Sequence, residues 1–497
     1  MRKVTPVFWI SIAIAAVFVL WGIIAPENLG DQTGKIQAFL SAKFGWFYLL
    51  TVAIFLIFSV YLIFSPYGKL RLGQPNEKPE YNKVTWFAML FSAGMGIGLV
   101  FWGSAEPLAH FASPPTGDAE TTEAAKKALR YAFFHWGFHV WAIYTVIALA
   151  IGYFKFRRNV PGVISATFEP LLGDRANGPI GKAIDVIAVF ATIFGVATSL
   201  GLGAKQIAGG LSYITAIPNN LTTQFIIIAI VTVLFMISAW SGLSKGIKYL
   251  SNINIVLAIG LVAAALVLGP TVFIMDSFTT TLGAYFQNLP MMTFQMAPLS
   301  TEHNGWIQGW TVFYWAWFIS WSPFVGTFIA RVSKGRSIRE FVMGVLIVPS
   351  IFSAFWFAVF GGSSLKQELD NPDIGLTSLP AEQALFGTFE ALPMGMILTI
   401  IAIVLISTFF ITSADSATFV LGMQTTNGSL NPPNVVKFSW GVIQAAIAAV
   451  LLASGGLGAL QTAAIVSAFP FAIILLFMVW SLLRALKEDA KAANLKK

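Results

Sequence analysis

The run Phe225-Ile226-Ile227-Ile228-Ala229-Ile230-Val231-Thr232-Val233-Leu234-Phe235-Met236-Ile237-Ser238 carries no charge. With its flanks it reaches the roughly 20 apolar residues that a membrane-spanning helix needs. Ile255–Leu268 does the same. Across the 497 residues, 57% are hydrophobic and only 10% charged, where a soluble globular chain carries about 25% charged residues. A deficit of that size means that most of the surface does not face water. The fold expected is an all-α integral membrane protein.

Twelve apolar segments follow the same pattern, near 7–25, 45–64, 86–111, 129–153, 183–213, 223–243, 253–275, 306–332, 341–361, 391–424, 434–455 and 460–483. The first is too long, and lacks the small-residue cleavage site, for a removed secretory peptide, so it is expected to remain as a span. Lysine and arginine orient the set. The N-terminus, alternate loops and the C-terminal tail hold 23 of them, among them Lys69, Arg71, Lys155, Arg157, Arg158, Arg331, Lys334, Arg336, Arg339 and Lys437, against 6 on the other side. The positive-inside rule then places both termini in the cytoplasm. This distribution, more than the net charge of +8, is the informative quantity, and no nucleic-acid partner is expected. Two outward stretches are long, 276–305 and 362–390. In the first, Phe278, Leu282, Tyr285, Phe286 and Leu289 recur at helical spacing and fit a helix lying along the membrane surface. An ordinary ordered loop is the alternative.

The chain has no cysteine, which excludes disulfides, thiolate metal sites and thiol nucleophiles. His135 and His139 stand four apart, but no glutamate follows the first and no third ligand is evident, so they read as packing residues. Selectivity filters, charged pore rings and clustered catalytic acids are not evident either, which argues against a channel or a membrane-embedded enzyme. No cofactor is expected. Glu106 and Asp415, the intramembrane acids, lie in different segments and read as structural or gating residues.

Carriers place their sites near the bilayer midplane, where helices are interrupted. Ser92-Ala93-Gly94-Met95-Gly96-Ile97-Gly98 sits in the middle of the third segment. Three alternate glycines let the backbone unwind and approach a ligand, while close helix packing through small residues is the competing reading. In the tenth segment, Thr412 and Ser413 precede Asp415. Such oxygen ligands suit a hard cation such as sodium, and hydroxyls bonded back to their own helix are the alternative.

Two aromatic walls complete the pattern. Trp136, Trp141 and Tyr144 lie at helical angles of about 0, 140 and 80 degrees in the fourth segment. In the eighth, Trp310, Trp317, Trp321 and Phe324 share a stripe of about 60 degrees, with Phe318 beside it. Facing aromatic walls suit a quaternary ammonium, which offers no hydrogen-bond donor and is attracted by ring quadrupoles at about 0.5–2 kcal/mol per contact. Plain helix packing is again the alternative.

Ser92–Gly98 with Gly103-Ser104-Ala105-Glu106-Pro107, His135-Trp136-Gly137, Ser199-Leu200-Gly201-Leu202-Gly203, Trp315–Gly326 with Ala330-Arg331, and Thr412–Ala417 together resemble the betaine/choline/carnitine transporter family over nearly the whole chain. The resemblance implies a LeuT-like inverted 5+5 repeat, helices 3–7 over 84–275 and helices 8–12 over 306–484. Two extra N-terminal helices would occupy 1–83, the surface helix 276–305 and a short cytoplasmic tail 485–497. It implies a homotrimer in a bacterial inner membrane that takes up glycine betaine for osmoprotection by alternating access, with sodium as coupling ion. The substrate would meet Trp136, Trp141, Tyr144 and Phe318, with Trp317 and Trp321 along its path and the backbone at Ala93, Met95 and Gly96 at its carboxylate end. Sodium would be held by Ser92, Met95, Phe409, Thr412 and Ser413, and a second sodium by Thr192 and Phe324. Gly98 would set specificity, because an acid there would favour choline and repel a betaine carboxylate. Three positions depart from the family pattern. Phe318 replaces the usual tryptophan, Val196 stands where a hydroxyl would complete the second sodium site, and the tail lacks the long basic extension of osmosensing members. Choline, carnitine, proline betaine, ectoine and dimethylsulfoniopropionate are alternative substrates, and a sodium-independent exchanger an alternative mechanism.

Overall fold

The computed structural model describes residues 4–94, 96–241 and 244–494, and at 91–94, 241 and 244–248 the backbone alone. Among the described residues the chain is helical, with a single isolated antiparallel bridge between Arg71 and Ser337. In order the helices are α1 (Pro6–Ile24), α2 (Pro26–Phe64), α3 (Lys83–Gly94), α4 (Ile97–Ala112), α5 (Thr122–Trp136), α6 (Phe138–Arg157), the short α7 (Glu169–Leu172), α8 (Pro179–Ile214), α9 (Leu221–Ser241), α10 (Ser244–Leu268), α11 (Thr271–Thr293), α12 (Thr301–Ile307), α13 (Phe313–Val332), α14 (Ile338–Asp370), α15 (Ala384–Glu390), α16 (Gly395–Gln424) and α17 (Asn434–Ala492).

Ten helical stretches among the described residues are long and apolar enough to cross a membrane. Burial divides them into an inner and an outer set. The most apolar window of the α5–α6 stretch is 94% buried, whereas those of α1, α9 and Tyr249–Leu268 are 33%, 33% and 28% buried. The outer helices show large apolar side chains such as Trp9, Ile226 and Val256 on their free faces. Helices satisfy their own backbone groups, so such a face can lie against lipid. α17 is too long for one crossing, since 59 helical residues would extend about 88 Å across a hydrocarbon core of about 30 Å. It bends where Gly455 and Gly456 leave helical geometry, Gly456 at φ +59, a conformation that suits glycine.

Three further interruptions position the site. α3 ends at Gly94 and α4 begins at Ile97, with Gly96 extended between them (φ −146, ψ −177). α5 and α6 meet at Gly137 (φ −94, ψ −140). A Cβ there would lie 2.5 Å from Phe133 O and 2.7 Å from the Tyr285 hydroxyl of α11, which accepts from Phe138 N at 3.1 Å. Only a residue without a side chain admits that approach. A π-helical turn, Gln308–Val312, joins α12 to α13.

At the end of the molecule rich in lysine and arginine, the connections are pinned. Arg336 lies 4.0 Å over the Trp86 ring, donates to Tyr81 O at 2.7 Å and pairs with Glu340 at 2.6 Å. Glu77 pairs with Lys334 at 2.8 Å, and that ammonium lowers the Glu77 pKa. The end of α17 is fixed to α6, where Asp489 accepts from Tyr153, Arg157 and Arg158.

Candidate functional site: an aromatic box and a hydroxyl-lined cavity

The aromatic residues of α5, α6 and α13 converge. Phe318 of α13 meets the wall of the fourth segment at two points, with its ring centroid 5.2 Å from Trp136 and 6.1 Å from Tyr144, both edge-on. Trp141 meets Tyr144 at 5.4 Å, and Tyr144 meets Trp321 at 6.3 Å. Trp317 stacks on Phe313 and Phe318 at 5.6 and 5.3 Å and faces Trp136 at 6.1 Å. All of these rings are buried. Two polar atoms among them, the Tyr144 hydroxyl and Trp317 Nε1, have no hydrogen-bond partner. Buried polar atoms are rarely left so, and such exceptions gather where a ligand binds.

The helical-wheel arithmetic across 136–144 does not hold, because the helix breaks at Gly137, yet Trp136 still reaches the box from the end of α5. The stripe through 310–324 is likewise interrupted by the π turn. Trp310 packs away from the box, against Trp102 at 5.4 Å and His110 at 4.5 Å. π turns commonly mark functional segments because they shift the helical face by a residue.

The interrupted segment between α3 and α4 lies directly against the rings. A Cβ on Gly98 would stand 2.4 Å from Trp317 Cη2 and 3.2 Å from Trp136 Cη2, and one on Gly96 3.4 Å from Trp321 Cη2. The glycines therefore serve both a broken helix and a close approach, the two readings that the sequence left open. Met95 lies outside the described residues, and of Ser92 and Ala93 only the helical backbone is described.

A buried carboxylate organises one end of the box. Glu106 Oε2 accepts from Trp136 Nε1 at 2.8 Å and Tyr314 OH at 2.6 Å, while Oε1 is bonded to His135 Nδ1 at 2.7 Å and His110 Nε2 at 3.1 Å. Four partners satisfy the carboxylate, as a buried charge requires. His135 Nε2 pairs with Thr311 at 2.9 Å, whereas His139 pairs with Thr293 and stacks on Trp315. The two histidines thus have separate partners. Glu106, His110 and His135 form the one cluster of potential metal ligands among the described residues, but the carboxylate is already saturated by hydrogen bonds. Sequence reading noted Glu106 and missed this network. The signal was an intramembrane acid four residues before His110, one helical turn away.

Below the box, Trp321, Phe324, Phe409, Thr412, Ser413, Ser416 and Asn254 line a cavity of about 590 Å³. A neighbouring cavity of about 610 Å³ shares Phe324, Phe328 and Ser416 and is also lined by Lys155, Arg331 and Lys437, residues of the basic end. Thr412 Oγ1 donates to its own helix, to Thr408 O at 2.9 Å, and accepts from Asn254 Nδ2 at 3.1 Å. Asp415 accepts from Ser238 at 2.6 Å. Thr192 is not among the residues lining either cavity. Its hydroxyl donates to Ala188 O at 2.7 Å, and Gln424 Oε1 lies 3.4 Å away.

The chain is similar in sequence to known carriers. BCCT, the betaine/carnitine/choline family transporter, matches residues 6–491. The chain is 58% identical to the glycine betaine transporter OpuD of Bacillus subtilis, over 99% of this chain and 96% of that one. It is 48% identical to a probable glycine betaine transporter of Desulfitobacterium hafniense and 45% to an ectoine/hydroxyectoine transporter of Virgibacillus pantothenticus, each over 98% of both chains. A solved Na+-coupled sialic acid symporter aligns over 87% of this chain and 85% of its own at a TM-score of 0.49 and 15% identity, a likeness too distant to bear on fold or coupling. With a family match spanning both termini, an interrupted helix against an aromatic box, and relatives similar over almost their full length, this chain is a multi-pass membrane protein belonging to the betaine/carnitine/choline transporter family.

Proposed function

We propose that this protein takes up glycine betaine, a trimethylammonium compatible solute, by secondary active transport coupled to sodium. The observation that carries the reading is the buried box of Trp136, Phe318, Tyr144 and Trp141. Aromatic rings attract, through their quadrupoles, a cation that has no N–H to donate. The unpartnered Tyr144 oxygen adds negative potential among them. The names of the two betaine-transporter relatives agree with this choice. The betaine carboxylate would lie toward the backbone of 93–96, where an interrupted helix offers free amides.

The cation is assigned to Thr412, Ser413 and the Phe409 carbonyl of α16, with Ser92 and Met95 completing the set from the segment that also meets the substrate. One segment contacting both ligands supplies the coupling that concentrative transport requires. A second sodium at Thr192 and Phe324 is not part of this proposal, because Val196 stands where a second hydroxyl would complete that site.

The two cavities reach Thr412 and Trp321 from the basic end, while Trp306, His110, Trp310 and Trp102 pack together beyond the box on the other side. In our reading this is the conformation that releases substrate to the cytoplasm. The same reading takes the chain as twelve crossings, counting α3–α4 as one and α17 as two. They form two inverted five-helix repeats over 84–275 and 306–484, with α11 along the outer membrane surface, both termini in the cytoplasm of a bacterial cell and three copies assembled as a homotrimer.

Uptake of radiolabelled glycine betaine into proteoliposomes tests this. Accumulation driven by an inward sodium gradient and absent with potassium supports symport. Uptake that ignores sodium but rises with internal betaine replaces it with exchange.

A further inference from the structure

We infer that the side-chain oxygen of Asn254 is a ligand of the coupling cation, beside Thr412 and Ser413; this rests on the sodium reading above. Asn254 lies in the membrane-spanning part of α10 and is 2% exposed, deep for an amide in an apolar helix. Intramembrane polar side chains persist where they line a cavity or meet a ligand. Asn254 lines the same cavity as Phe409, Thr412 and Ser413.

The hydrogen bonds fix which amide atom faces which partner. Thr412 Oγ1 uses its proton on Thr408 O at 2.9 Å, so toward Asn254 it acts as acceptor, and the amide nitrogen must be the atom 3.1 Å away. That leaves Asn254 Oδ1 buried with no partner. The Thr412 hydroxyl keeps one lone pair, since an oxygen of this kind accepts twice. The two side chains, tied by the bond from the amide nitrogen to the hydroxyl, line one cavity, and the amide oxygen and the hydroxyl oxygen each keep unused acceptor capacity. Neutral oxygens without nitrogen or sulfur form a site for a hard cation. The absence of a carboxylate among them suits a monovalent ion over calcium, which takes carboxylate ligands. Asn254 thereby adds α10 to the side of the site that α16 supplies.

The test compares Asn254→Leu, Asn254→Asp and Thr412→Ala in proteoliposomes, reading the sodium half-saturation of betaine uptake. Sodium-induced change in tryptophan fluorescence of the purified protein is the second readout, since Trp321 lines the same cavity. The expected result is opposite shifts. Asn254→Leu raises the sodium half-saturation tenfold or more, and Asn254→Asp, which loses the N–H but offers an anionic oxygen, lowers it at least threefold. A raised half-saturation in both variants means that the amide acts only as a donor to Thr412 and overturns the proposal. So does no shift in either variant, and if Thr412→Ala still weakens sodium, the sodium reading survives without Asn254. A wild-type protein indifferent to sodium sinks both together. If the leucine variant fails to insert, the direction of the aspartate shift in the fluorescence titration decides.

Discussion

Trp136 Nε1 donates to Glu106 Oε2 over 2.8 Å, so a ring of the aromatic box is held by a carboxylate on another helix. The same oxygen takes the Tyr314 hydroxyl at 2.6 Å, which couples the end of α5 to α13 through α4. Glu106 touches no substrate in this account; it fixes the angle at which the Trp136 face is presented.

Glu106→Gln is therefore expected to damage substrate affinity more than sodium affinity. A carboxamide brings an NH2 where an acceptor stood, so at least one of the four buried partners loses its bond. Leaving such a group unpaired costs about 1–3 kcal/mol, and the expected rise in betaine KM is about tenfold. Measuring KM at saturating sodium, together with the sodium half-saturation, checks it; an equal loss in both marks a general structural role.

Gly98 has no space for a methyl group. A Cβ 2.4 Å from Trp317 Cη2 forces that ring to move, and overpacking of this kind typically costs about 1–3 kcal/mol. Gly98→Ala should raise betaine KM at least tenfold. Gly98→Asp should additionally shift preference toward choline, whose positive charge lacks a balancing carboxylate. Competition of unlabelled choline against labelled betaine in both variants reads the two effects separately.

Phe318 is the ring through which the α13 wall meets Trp136 and Tyr144. Phe318→Ala removes one cation–π face, worth about 0.5–2 kcal/mol, and should raise betaine KM between about threefold and thirtyfold. The sodium half-saturation, set in the cavity below, should stay near its original value. A parallel loss of sodium affinity would mean that the two sites are not separable in this way.

Thr412→Ala should do the reverse. It deletes a hydroxyl that lines the cavity and should raise the sodium half-saturation about tenfold or more, while high sodium restores most of the uptake. Uptake measured across a sodium series at fixed betaine distinguishes this from a simple loss of folded protein.

How much of this was legible beforehand varies by residue. The blocks around 225–238 and 255–268 announce membrane helices because lipid admits no unpaired backbone, and the glycines at 94, 96 and 98 announce an interruption because three of them weaken one helical turn. The break at Gly137 was not legible. It depends on Tyr285, nearly 150 residues away, occupying the space where a Cβ would sit. The displacement of Trp310 was hidden for a similar reason, since a π turn adds a residue to the helical face without any compositional mark. Asn254 looks like any polar residue near a span end, and its burial, its bond to Thr412 and its unpartnered oxygen set it apart only in the structure.

The central claim is that the box selects its ligand by positive charge. The most direct measurement is competition of labelled glycine betaine uptake by unlabelled glycine betaine and by 3,3-dimethylbutanoate, in which carbon replaces the quaternary nitrogen at nearly identical shape. The account predicts that the carbon analogue competes at least a hundredfold more weakly, because the ring faces gain nothing from a neutral tert-butyl group beyond its burial. Equal competition by the two would contradict it, leaving Trp136, Phe318, Tyr144 and Trp141 as an apolar pocket that reads shape alone.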